Sequence, residues 1–76
     1  MARYFFHVAD GEITIDDVGT ELPDMDRVRS ESVRTAGQML SDGDQSWQGK
    51  AWRMVVADET GTIVFGINIS VDRHGL

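Results

Sequence analysis

His7 is the residue in this chain best suited to proton chemistry, because imidazole titrates near neutral pH. It stands alone. No serine, cysteine or second strand-borne histidine is spaced to work with it as nucleophile or relay. A lone histidine on a strand reads as a cross-strand residue, paired with Arg53 or with an acidic neighbour. His74 lies near the end of the chain and is a weaker candidate. The other chemistry-bearing group is the acidic run Asp16, Asp17, Glu21, Asp24 and Asp26. Oxygen ligands of this kind suit a hard cation, but the EF-hand spacing and its closing glutamate are missing. Turn formation, helix capping and dipole effects account for the same residues without a metal. There is no P-loop, no Gly-x-Ser-x-Gly elbow and no dinucleotide fingerprint. Arg27 and Arg34 share a helix face with Glu31 between them, which reads as a solvated face.

The elements that would position these groups follow from periodicity. Residues 22–40, LPDMDRVRSESVRTAGQML, carry the one clear helical period. Met25, Val28, Val33, Ala36 and Leu40 fall in one broad stripe, with Ser32 and Met39 at its edges. Asp24 is suited to the N-cap, Asp26 to the positive end of the dipole, and Gly43 to a left-handed C-terminal cap. Arg27–Glu31 and Glu31–Arg34 have ion-pair spacing, worth about 0.2–0.5 kcal/mol each on an exposed helix. Gly37 reads as tolerated weakness near the helix end rather than as a point of close approach.

Strands flank the helix. Arg3–Val8 alternates Tyr4, Phe6 and Val8 against Phe5 and His7. Asp10-Gly11 marks a tight turn, and Glu12–Ile15 returns as a short second strand with Ile13 and Ile15 on one face. Residues 16–21 read as a loop leading into the helix. After the helix, SDGDQSWQGK reads as a flexible link, with Trp47 folded back as a lid on the core edge. Ala51–Ala57 is the third strand, with Trp52, Met54 and Val56 inward. Asp58–Gly61 is a glycine-closed turn. Thr62–Val71 is the fourth strand, with Ile63, Phe65, Ile67 and Ile69 on one face. Residues 70–76 read as a flexible tail.

The predicted fold is a single small α+β domain over 1–76, β-β-α-β-β. A four-stranded, mainly antiparallel sheet carries one helix on one face; if the first strand lies between the second and third, the unit is a split β-α-β and the order is 2-1-3-4. The opposite face then presents Phe5, His7, Arg53, Val55, Ala57, Val64, Gly66 and Asn68. Phe5 is large to leave wet. Phe5, His7, Arg53, Val55 and Val64 are therefore the candidate interface.

Composition limits the function. Seven basic against thirteen acidic residues give a net charge of −6, which disfavours a phosphate-binding surface and with it nucleic acid. With no cysteine, neither disulfides nor thiolate metal sites are available. No apolar leader and no membrane span are evident, and a cytoplasmic setting is expected. A chain of 76 residues buries only about 60% of its unfolded surface, so its core is marginal and oligomerisation would strengthen it.

The segments RYFFHVADG, DDVGTELPD and WRMVVADETGTIVF together resemble a group of small proteobacterial proteins, the domain-of-unknown-function family DUF6894. The likeness covers Arg3 to about Ile69. Tyr4, Phe5, Phe6, His7, Gly19, Leu22 and Pro23 look like its signature. The resemblance implies a stand-alone cytoplasmic protein and brings no catalytic or ligand-binding residues. Together these readings point to a non-enzymatic interaction module, a homodimer or a partner of another protein, without a cofactor. The alternative is a small-molecule or metal-ion binder using His7 and the acidic loop 16–26.

Overall fold

Eight residues dominated by aromatic and β-forming side chains make the central strand, β1, at Ala2–Ala9. A computed structural model describes residues 1–42 and 51–70. Four further strands follow in chain order: β2 at Ile13–Thr14, β3 at Thr20–Leu22, β4 at Trp52–Ala57 and β5 at Ile63–Ile69. One helix, α1, runs from Met25 to Ser41. The sheet order is β2-β1-β4-β5, with β3 also paired to β1 and every pairing antiparallel. This is the predicted 2-1-3-4 order with one strand added. β3 and β4 both run antiparallel to the intervening β1 and are joined through α1, as in a split β-α-β unit. Gly43, Trp47, His74 and the tail beyond Ser70 lie outside the described residues.

The helix starts where the sequence places it. Asp24 is the N-cap in extended conformation, and its Oδ1 accepts the Arg27 N–H at 2.8 Å. At the other end the Asp42 N–H donates to the Gln38 carbonyl. Of the two spaced ion pairs, Glu31–Arg34 forms, bidentate, with its shorter contact at 2.9 Å. Arg27–Glu31 is not an ion pair.

The buried stripe of α1 differs from the expected one. Val28, Ser32 and Ala36 face the sheet, with Leu40 half-buried beyond them, a single i+4 row. Met25 and Val33 are exposed instead. Small side chains at 32 and 36 let the helix lie close to the sheet, and the bulkier Val33 turns outward. The Ser32 hydroxyl donates to the Val28 carbonyl at 2.6 Å, so its burial leaves no unpaired polar atom. Across from this row lie Val8, Trp52, Met54 and Val56, with Leu22 closing one end. Tyr4, Phe6, Phe65, Ile67 and Ile69 pack half-buried around them.

Three isoleucines expected in the core lie outside it, because the register puts them on the other face. Ile13 pairs with Ala9, whose side chain points away from the helix, and Ile15 follows Ile13 by two. Ile63 is displaced by a register shift. Val56 pairs with Phe65 but Ala57 pairs with Ile63, so Val64 is an extra residue in β5. The bulge sends Ile63 to the open face, while Val64 packs half-buried against the core. The second strand keeps two of its four expected residues. The presumed loop 16–21 yields β3, whose Leu22 is buried.

Gly37 is exposed, and a Cβ built there meets no atom within 4 Å. Gly37→Ala should therefore stabilise the chain by roughly 0.5–1 kcal/mol through helix propensity alone. Denaturant unfolding measures this, and any loss of stability would mean that something approaches the helix there.

Candidate functional site

β2 and β3 are two pieces of one interrupted neighbour of β1. β2 pairs with Val8 and Ala9, β3 with Ala2 to Tyr4, and residues 15–19 loop out between them. That leaves the Phe6 N–H without a strand partner. The Asp16 carboxylate takes its place: Oδ2 accepts from Phe6 N–H at 3.1 Å, and Oδ1 accepts from Val18 and Gly19 N–H at 3.1 and 3.0 Å. The Asp16 N–H in turn donates to His7 Nδ1 at 3.1 Å. His7 thus pairs with an acidic neighbour rather than with Arg53, and through that residue's amide rather than its carboxylate.

This geometry defines what His7 can do. Nδ1 is an acceptor here, so the neutral ring carries its proton on Nε2. The Asp16 carboxylate already holds three amides and does not orient the ring as the acid of a catalytic dyad would. Burial pushes the Asp16 carboxyl upward. The amides of Gly19, Phe6 and Val18, with a smaller contribution from nearby His7, outweigh it and hold the group below the ordinary aspartate value of 3.8. Asp58 does similar work in the β4–β5 turn, accepting from Thr60 and Thr62. Asp24 is the helix cap. Among the described residues, no three acidic or histidine side chains converge as a cation site would need.

Gly19 completes the loop. Its φ of +77° is left-handed, and a Cβ there would stand 2.8 Å from Arg3 Cγ and 2.9 Å from Phe5 Cε1. The loop backbone therefore lies directly on the Phe5 ring. Phe5 is half-buried by its own chain and is less available as an interface residue than the sequence suggested. Arg3 secures the same loop by donating from Nη1 to the Val18 carbonyl at 2.9 Å.

Beyond Phe5 the open face carries an apolar groove of about 310 Å³. Its walls include Ile13, Ile15, Val55 and Ile63, with His7 and Arg53 as the polar members. Cross-strand pairing orders them: Ile13, Ala9 and Arg53 form one row, and His7 and Val55 the next. Of the five candidate interface residues, the structure brings His7, Arg53 and Val55 together, turns Phe5 under the loop and packs Val64 against the core. Sequence reading missed Ile13, Ile15 and Ile63. The parity of Ile13 was recoverable only from its turn: three residues, Asp10 to Glu12, separate Ala9 from Ile13.

These elements make a small α+β domain of the split β-α-β kind, whose sheet bears an apolar groove on the face opposite the helix. The chain belongs to the family described as domain of unknown function DUF6894, which it matches over residues 3–70. No curated protein and no solved structure matches it.

Two outcomes test the Asp16 loop. A carboxyl with a depressed folded pKa stabilises the fold above 3.8, and that contribution is lost as pH falls through the folded value. Asp16→Asn should lower stability near pH 7 by roughly 1–2 kcal/mol, and the gap from wild type should close in acid. Urea titrations between pH 7 and pH 3 measure it; a gap that persists in acid would show the carboxylate charge to be irrelevant. Gly19→Ala should destabilise by more than about 1 kcal/mol, through the positive φ and the Phe5 contact together. Thermal unfolding that matches wild type would contradict that packing.

Proposed function

We propose that this chain is a non-enzymatic protein-interaction module that uses the open face of its sheet. One observation carries the reading: Ile13, Ile15 and Ile63 are 77%, 63% and 61% exposed and surround a single groove. Apolar side chains scattered singly over a surface need no explanation, but three around one concavity favour a docking surface. Arg53 is exposed at the same place. The occupant that fits is a polypeptide segment with apolar side chains for the groove and a carboxylate for the guanidinium. The absence of cysteine suits a reducing compartment, and we place this activity in the cytoplasm.

A second reading has one observation in its favour. The groove volume is near the lower end of the roughly 300–1,000 Å³ of small-molecule sites, with His7 Nε2–H as a donor beside it. A small apolar carboxylate would suit it. The metal version of this reading is weakened because Asp16 already serves three amides.

A photoreactive amino acid placed at position 13, 63 or 29 in cells separates the possibilities. Position 29 is an exposed site on α1. Protein adducts from 13 and 63 but not from 29 are expected. Equal adducts from all three, or none from 13 and 63, would overturn the docking reading. A rise in melting temperature with small aromatic or aliphatic carboxylates, lost in Arg53→Ala, would favour the second.

A further inference from the structure

The outer edge of β5 is a second surface, distinct from the groove. Among the described residues β5 is the last strand in the sheet and pairs with β4 on one side only. Its seven residues span roughly 23 Å. Protected edge strands are short, or carry charges, prolines or bulges along their length. β5 has neither charge nor proline, and its bulge sits at the Val64 end, leaving Phe65–Ile69 regular. Residues 60–71 are the longest run in the sequence without Asp, Glu, Lys or Arg.

The free backbone groups of this edge follow from β1. The Phe6 N–H points at Asp16, away from β4. Alternation turns the backbone groups of Phe5, His7 and Ala9 toward β4, and through Ala57, Val55 and Arg53 it turns those of Val56, Met54 and Trp52 toward β5. Phe65, Ile67 and Ile69 receive them. The N–H and C=O groups of Gly66 and Asn68 therefore point outward.

We infer that β5 pairs antiparallel with the β5 of a second copy of this chain, about a twofold axis at Ile67. That register bonds Gly66 of each copy to Asn68 of the other, using both outward residues. It sets Ile67 beside its own copy and Phe65 beside Ile69, all on the helix face. These three side chains are half-buried in the single chain, and the pairing would continue their apolar row into the second core. The edge is complementary to itself, which points to a second copy as occupant: one register uses both outward residues, and along residues 63–70 no like charges meet, so the net charge of −6 opposes pairing less here than elsewhere. The interface is isologous, so it closes at two chains. It places both open-face grooves on one side of a continuous sheet, and it stands or falls separately from the docking reading.

Light scattering after size exclusion tests it at several concentrations. The wild type should have twice the chain mass, and Ile13→Asp, on the groove, should keep it. Asn68→Pro removes an outward N–H without touching the β4 ladder and should give a monomer with an unchanged circular dichroism spectrum. The chain has no cysteine, so Ile67→Cys supplies a clean second measurement should the proline variant not fold. It should oxidise to a covalent dimer much faster than Val33→Cys on the exposed helix face. A monomeric wild type, a dimer that survives Asn68→Pro, or Ile67→Cys oxidising no faster than Val33→Cys would each overturn the inference. A dimer lost in Ile13→Asp but kept in Asn68→Pro would move the interface to the groove.

Discussion

The Asp16 carboxylate fills a gap that the chain cannot close with backbone. β1 is the centre of the sheet, and one of its edges is served by two fragments with a loop between them. A backbone N–H left unpaired there would cost free energy comparable to a lost hydrogen bond. One side chain takes the Phe6 amide and, with its other oxygen, ties down two amides of the loop itself. The same residue's own N–H reaches His7. Loop, central strand and histidine are thus one hydrogen-bonded unit. The position of β3, and hence the point where the chain enters α1, depends on it.

The two faces of the sheet are built on different terms. On the helix face, small residues at Ser32 and Ala36 bring α1 down onto Trp52, Met54 and Val56, which have little or no exposure. On the open face, the loop at Gly19 covers Phe5 and stops there. Beyond it, the isoleucines, with His7 and Arg53 among them, have no cover among the described residues. On the helix face the apolar side chains are covered within the chain, whereas on the open face Ile13, Ile15 and Ile63 are exposed.

His7 illustrates how far a site can be read from sequence. The residue types alone show no nucleophile spaced to work with it. Its partnership with Asp16 was not visible, because Asp16 lies nine positions further along, beyond the β1–β2 turn, and the contact runs through a backbone amide. Of the acidic run, Asp24 caps the helix N-terminus as its position in the sequence suggests. The structural role of Asp16 exceeds any local motif. Gly19 could be read as a turn glycine, but its contact with the Phe5 ring depends on the fold that brings residue 5 beneath it.

The sequence by itself determined the features that are local. The α1 start at Asp24, the alternation of β1 and β4 and the glycine-closed β4–β5 turn follow from caps, period and turn chemistry within short windows, whereas the strand order was only one of the arrangements those elements allow. Tertiary structure decided what depends on register. Ile13 and Ile63 changed faces because side-chain direction alternates with period two, so a turn of odd length or one bulged residue reverses every position beyond it. Ser32 sits at the centre of the buried helix row, where its hydroxyl is satisfied by the Val28 carbonyl, while the more hydrophobic Val33 is exposed. β3 exists because Leu22 finds a core and Asp16 holds the loop before it, and neither condition is written in residues 20–22 alone.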